Sequence, residues 1–259
     1  PEVAKTFAEL EQNEKNFKVA QIVDRVLIDQ TKGISAPIQA CELGGGAHPD
    51  RYNQFFAKLL QQPKGNIDWV DVSPHMLLLA DEYISTNDYS DRKEVITYIE
   101  SDILKYLEGL EDESLDVAIM KYTIGHISDV SLLFALLQKK LKKGGKLVST
   151  MGALKPTLKS YSTNARFLYN GQQFADDETR TLVDGDTFTV KFFAESGNPN
   201  GGYMPGAETT KYYHSTSKIT QQAETNNFDI FLGNWKDLID IDSQQNEEMD
   251  QAMLVLTKR

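Results

Sequence analysis

A single cysteine, Cys41, stands among the 259 residues, so no disulfide can form within the chain. That usage fits a reducing compartment, and a cytoplasmic location is expected. No apolar run approaches the ~20 residues that cross a bilayer, so no membrane association is expected. The opening Pro1-Glu2-Val3-Ala4 lacks the basic-then-apolar layout of a secretory leader. Basic side chains are outnumbered, 27 Lys and Arg against 38 Asp and Glu, for a net charge of −11. Sequence-independent nucleic-acid binding depends on basic side chains neutralising phosphates, so nucleic acid is not an expected partner. There is no H-E-x-x-H and no C-x-x-C, and hence no support for a zinc site. Internal repeats and low-complexity stretches are also missing. What remains is globular composition, 40% hydrophobic and 25% charged, in a chain long enough to bury a core without staples.

Five short apolar runs punctuate the first 150 residues: Ile38–Leu43, Ile67–Val72, Val95–Glu100, Leu115–Met120 and Lys146–Thr150. Most lack strict alternation, as expected of strands buried on both faces. Helical patterns at 50–61, 74–85 and 130–142 separate them, an order that predicts a parallel sheet covered on both sides. Ser73-Pro74 reads as an N-cap followed by a first-turn proline. Lys142-Lys143-Gly144-Gly145 reads as a helix end. Before the first strand, Val19, Ile22, Val23, Val26 and Leu27 recur at helical spacing, with Gly33 as the expected stop.

After Met151 the rhythm changes. Residues 155–174 are mixed and are read as helical. Residues 179–193 read as a hairpin about Asp184-Gly185, and 196–206 as a loop. A strand at 208–214, a helix at 217–226 and strands at 228–232 and 253–257 complete the pattern. The expected organisation is an N-terminal helical lid (1–35), an α/β core (36–152), an inserted substrate cap (153–215) and a C-terminal completion of the core (216–259). The fold class expected is a Rossmann-like, doubly wound, mostly parallel seven-stranded sheet. Its last strand is antiparallel and a hairpin cap is inserted before the sixth.

Three strand ends carry chemistry. Ala40-Cys41-Glu42-Leu43-Gly44-Gly45-Gly46-Ala47-His48 passes from strand into a glycine turn, where a ligand can approach bare main chain near the switch point of an open α/β sheet. Pro49 stands where the dinucleotide fingerprint G-x-G-x-x-G needs a small residue, which disfavours NAD. The next strand ends Trp69-Val70-Asp71-Val72-Ser73-Pro74-His75-Met76, and a carboxylate there can accept hydrogen bonds from ribose hydroxyls. The third ends Glu100-Ser101-Asp102-Ile103, an acid with an apolar neighbour suited to the edge and face of a purine.

In this order the motifs resemble the class I S-adenosylmethionine-dependent methyltransferase superfamily. Leu115-Asp116-Val117-Ala118-Ile119 is similar to its fourth strand, and Leu141-Lys142-Lys143-Gly144-Gly145-Lys146-Leu147 to its turn into the fifth. The resemblance spans about residues 36–152, with His48 where many members carry a third glycine. It implies S-adenosyl-L-methionine as cofactor and S-adenosyl-L-homocysteine as product. By the same resemblance Glu42, Gly44 and Gly46 hold the methionine portion and Asp71 the ribose. Val72 and Met76 flank adenine, Asp102 and Ile103 meet its edge and face, and Lys121 lines the methyl group through its backbone.

For the acceptor, Lys121-Tyr122-Thr123-Ile124-Gly125-His126 follows the fourth strand. His126, with Tyr122, is the candidate catalytic pair, and a packing role for the histidine is the competing reading. Tyr203, Tyr212 and His214 are candidates for substrate contact, against the alternative of an ordinary edge strand. Superfamily members that methylate nucleic-acid amines carry Asp/Asn-Pro-Pro-aromatic after the fourth strand, and metal-dependent ones an acid; Lys121-Tyr122-Thr123 is neither. The expected function is methyl transfer to O or N of a small molecule. A protein or peptide methyltransferase, a non-catalytic cofactor-binding regulator and an aminopropyltransferase are the alternatives. The sequence does not set an oligomeric state.

Overall fold

The computed structural model describes residues 4–5, 8–9, 14–34, 37–87, 89–152, 156–162, 165–194, 198, 202–238 and 252–259. Its centre is a seven-stranded sheet built from β1 (Gln39–Leu43), β2 (Asn66–Asp71), β3 (Ile96–Glu100), β4 (Leu115–Met120), β5 (Leu141–Met151), β11 (Phe228–Gly233) and β12 (Ala252–Lys258). The strand order is β11-β12-β5-β4-β1-β2-β3, with β12 antiparallel to both of its neighbours. The chain runs outward from β1 in one direction as far as β3 and then returns to β4 on the other side of β1. That reversal makes the crevice between β1 and β4 a topological switch point, the place where such sheets bind ligands.

Strand geometry divides the core in two. In β4, Val117 and Ile119 join one apolar cluster, while Ala118 and Met120 join the other. The first cluster receives α1 (Glu14–Gln30) and α2 (Asn53–Leu60) through Val23, Val26, Leu27, Phe55, Phe56 and Leu59. The second receives α5 (Val130–Lys140) and α6 (Thr216–Thr225) through Leu133, Phe134, Leu137, Ile219 and Ala223. All six β4 positions are buried; five are apolar, and Asp116 accepts from the Gln39 amide at 2.9 Å and the Lys142 ammonium at 2.7 Å. α3 (Pro74–Thr86) starts where expected, with the Ser73 hydroxyl accepting from the Met76 amide at 3.4 Å. Among the described residues no helix is long and apolar enough to cross a membrane.

Several local expectations are corrected. The helix expected at 50–61 divides into a 3-10 turn, Pro49–Arg51, and α2, with Tyr52 between them. Its cap is remote: the Asp24 carboxylate, from α1, accepts from the amides of Gln54 and Phe55, each at 2.9 Å. A seven-residue helix with weak periodicity, α4 (Ile103–Gly109), fills the β3–β4 connection and was not foreseen. α1 ends at Gln30 without using Gly33, which does not take up positive φ; the Thr31 hydroxyl instead donates to the Leu27 carbonyl at 2.6 Å.

Residues 142–145 do not terminate a helix but belong to β5. Leu141 both closes α5 and pairs with Leu115, which draws the chain directly into the sheet. The pairing then slips beside Gly144, at φ +76°, and Gly145, where a Cβ would lie 2.8 Å from the Lys142 carbonyl oxygen. The two glycines therefore serve a bulge.

The stretch between β5 and α6 folds as two small sheets. β6 (Thr157–Lys159) pairs with β8 (Thr179–Thr181), and β9 (Thr187–Phe193) lies between β7 (Ala165–Tyr169) and β10 (Tyr203–Tyr212). The helix expected over 155–174 is thus replaced by β6 and β7. The expected hairpin is not one either: Asp184-Gly185 does turn the chain, with Gly185 at φ +89°, but β8 and β9 enter different sheets. Local alternation and a turn signal are the same for a hairpin as for a crossing between sheets, so the partners could not be read. Of the loop expected at 196–206, residues 196–197 and 199–201 lie outside the described residues, and Tyr203 onward is already β10.

Candidate functional site

Register brings the chemistry-bearing strand ends to one edge of the sheet. Glu42 on β1 lies opposite Trp69 on β2 and Ile119 on β4, while Asp71 lies opposite Glu100 on β3. Beyond β1 the chain enters the glycine turn. Gly44 and Gly46 have φ of +79° and +64°, a region that favours glycine. The amides of Gly44 and Gly45 both donate to the Val70 carbonyl, at 2.8 and 2.9 Å. Space is as restrictive as torsion: a Cβ at Gly44 would lie 2.6 Å from Thr123, and one at Gly45 would lie 2.3 Å from the Trp69 indole. That indole donates to the Gly46 carbonyl at 2.9 Å.

Asp71 completes the turn. Its Oδ2 accepts from the Gly46 amide at 3.0 Å and its Oδ1 from the Ser73 amide at 2.8 Å. The two bonds fix the carboxylate at the C-terminal end of β2, beside the glycine turn. Val72, just beyond, is 72% exposed, and Met76 in the first turn of α3 is half-buried. Together they leave apolar surface beside the carboxylate. Asp102 caps α4, its Oδ1 accepting from the amides of Leu104 and Lys105 at 2.9 and 3.2 Å, and the half-buried Ile103 follows it.

Glu42 is completely buried beneath the turn, and its Oε1 lies 3.4 Å from the Lys121 amide. Its charge, together with burial, pushes the Tyr52 phenol well above its ordinary value, burial being the larger cause. Past β4 the backbone is strained: Tyr122 takes φ +63°, uncommon for an aromatic residue. Two hydroxyls hold it there, Thr150 accepting from the Tyr122 amide at 2.8 Å and Thr123 donating to the Lys121 carbonyl at 2.9 Å. The Tyr122 ring packs on the first core cluster and its hydroxyl is buried.

His126 closes the 3-10 turn Ile124–His126 and contacts the cap, its Nδ1 lying 3.3 Å from the Thr209 hydroxyl on β10. Desolvation, with the nearby Lys211 charge as second cause, lowers its pKa to about 4. The imidazole is therefore neutral near pH 7 and a weak base. His214 lies just past β10, where its Nε2 is 2.8 Å from the Ile127 carbonyl and ties the cap to the start of α5. Tyr203 stacks on Phe193 at a centroid distance of 5.9 Å. It sits six residues before Thr209, roughly 20 Å along an extended strand.

The nine residues expected around the cofactor thus share the edge formed by β1 to β4. Of the acceptor candidates, His126 borders that edge, Tyr212 ends the strand that meets it, and Tyr203 and His214 are engaged elsewhere. Sequence reasoning passed over Thr123, Trp69 and Asp24, which hold the turn and α2 in place. Thr123 had a signal in its position two residues past Lys121; the Asp24 contact, some thirty residues away in the chain, had none.

Residues 52–149 match a family described as a methyltransferase domain. Over 136 residues the chain is 31% identical to phosphoethanolamine N-methyltransferase 2 of Caenorhabditis elegans, a match covering 49% of this chain and 30% of that protein. The chain thus spans under a third of that relative's length. Among solved structures, an S-adenosylmethionine-dependent methyltransferase from Clostridium acetobutylicum superposes with a TM-score of 0.59 at 13% identity, over 98% of both chains. The CcbJ methyltransferase of Streptomyces caelestis gives 0.57 at 12% identity, over 93% of this chain and 95% of that one. The glycopeptide N-methyltransferase MtfA, in complex with S-adenosyl-L-homocysteine, gives 0.57 at 11%, over 92% and 90%. At such identities the shared feature is the fold.

Proposed function

We propose that the chain, which carries a methyltransferase-domain match over residues 52–149 and shares the fold of S-adenosylmethionine-dependent methyltransferases, is a class I S-adenosylmethionine-dependent methyltransferase that moves a methyl group from S-adenosyl-L-methionine to an O or N atom of a small molecule. The single observation that carries this reading is the joining of turn and acid: the carboxylate that ends β2, Asp71, is bonded to Gly46 in the turn that follows β1. A sulfonium nucleoside has an amino-acid end and a ribose, and the crevice offers bare main chain for one and an acceptor for the other.

In this reading Glu42, Gly44 and Gly46 hold the methionine portion and Asp71 the ribose. Val72 and Met76 flank adenine, Asp102 and Ile103 lie at its rim, and the Lys121 backbone faces the methyl. When bound, the cofactor supplies an electrophilic methyl group. The chain's contribution is to align an acceptor and exclude water, and alignment can supply most of the acceleration. His126, neutral and bonded to β10, positions the acceptor side of the crevice, and its low basicity argues against a demanding proton abstraction. A small acceptor agrees with the relative named for a phosphoethanolamine substrate.

A screen of small-molecule amines and alcohols for S-adenosyl-L-homocysteine release tests the activity. Turnover with a small acceptor supports the proposal. Turnover confined to peptides shifts it to a peptide methyltransferase, and cofactor binding without turnover on either class to a regulator.

A further inference from the structure

Among the described cations of the cap, Lys211 is the exception. Arg166 pairs with Asp176, Arg180 with Glu178 at 2.7 Å, and Lys191 with Glu208 at 3.1 Å. Lys159 stands exposed to solvent on β6. Lys211 is half-buried, and among the described residues no carboxylate forms an ion pair with it, in a chain with 38 acidic residues. Its position is fixed by strand alternation, which puts Thr209 and Lys211 on the same face of β10. Thr209 meets His126, and the Lys211 stem lies over Gly125, its Cδ and Cβ 3.6 and 3.8 Å from where a Gly125 Cβ would be. The ammonium is near enough to the His126 ring to disfavour its protonation. Burial also lowers the pKa of Lys211 itself.

A half-buried cation over Gly125, on the strand that meets His126 in the turn after β4, has the character of half of an ion pair. We propose that Lys211 recognises an anionic group, a carboxylate or a phosphate, on the methyl acceptor, and so selects anionic small molecules. The proposal rests on the methyltransferase reading and narrows its substrate class. Lys211 is a binding residue in this scheme, taking no proton during transfer.

The test uses the full chain carrying lysine labelled with carbon-13 at Cε and ring-labelled histidine, with and without saturating S-adenosyl-L-homocysteine. Inorganic phosphate and acetate are titrated separately while proton–carbon spectra are recorded. The Lys211 signal is identified by its loss in Lys211→Met, whose folding is checked by cooperative melting. The expected result is a saturable shift of the Lys211 and His126 signals with at least one anion. In Lys211→Met the His126 ring should report anion binding weaker by about 10-fold or more, while Lys211→Arg retains it. The anion that binds more tightly identifies the headgroup. Lys211 and His126 signals unmoved by both anions, in protein that binds S-adenosyl-L-homocysteine, overturn the lysine assignment and leave the methyltransferase reading intact. If S-adenosyl-L-homocysteine does not bind, that reading fails, and the cofactor-free titrations still decide whether Lys211 receives an anion.

Discussion

The Gly46 amide donates to Asp71 Oδ2 at 3.0 Å, so the glycine turn after the first strand and the acid ending the second form one unit. The same carboxylate holds Ser73 through its other oxygen. An amide side chain has one acceptor oxygen, so Asp71→Asn must give up one of the two bonds. Loss of charged hydrogen bonds should destabilise the ligand-free chain by about 1–3 kcal/mol. Equilibrium urea unfolding measures this, and an unchanged midpoint would show that the clasp has no weight.

Gly44 is constrained by torsion and by contact. Gly44→Ala places a methyl group 2.6 Å from Thr123 on a backbone at φ +79°. A cost of about 2–4 kcal/mol is expected from strain and overpacking together. Adding Thr123→Ala should recover the steric part and leave the torsional part. Because Thr123→Ala also loses its bond to the Lys121 carbonyl, the test is a double-mutant cycle in denaturant melts: Thr123→Ala costing as much in the Gly44→Ala background as in wild type would refute the contact.

Asp102 has two separable duties. As the cap of α4 it binds two backbone amides, and Asp102→Ala should cost about 0.5–2 kcal/mol. Asp102→Ser keeps a capping oxygen and should restore most of that stability. If Asp102 also borders adenine, the serine variant remains weaker than wild type for S-adenosyl-L-homocysteine. Equal affinity in thermal-shift titration would confine the residue to capping.

His126 carries a sign that can be checked. Its folded pKa of about 4 lies below the ordinary 6.5. The stability this contributes is fully present above pH 6.5 and is lost as pH falls toward 4. Stability of His126→Gln should therefore vary less steeply with pH than wild type across that window. Nuclear magnetic resonance of the His126 ring should show no titration between pH 6 and 8, and a midpoint near 6.5 would contradict the assignment.

Where one local rule governs, the sequence was readable. The buried run Leu115–Met120 and the Ser73-Pro74 cap are both found as expected. The glycines at 44 and 46 declared a turn, because few other residues tolerate their angles. What escaped depends on partners distant in sequence. The Asp24 carboxylate caps α2 from another helix, and β6 finds β8 across an intervening strand. Gly144 and Gly145 would suit a helix end equally well, and the pairing of Leu141 with Leu115 decides for the bulge. In the site, strand ends were legible one by one, whereas the Lys211–Gly125 contact required the fold of the cap.

The most direct test of the account is calorimetric titration of the intact chain with S-adenosyl-L-homocysteine, in wild type and in Asp71→Ala. One binding site is predicted for wild type, weakened in the variant by roughly 1–3 kcal/mol, about 5- to 150-fold. A folded wild-type chain that takes up no S-adenosyl-L-homocysteine, or a variant that binds it as tightly as wild type, would contradict it.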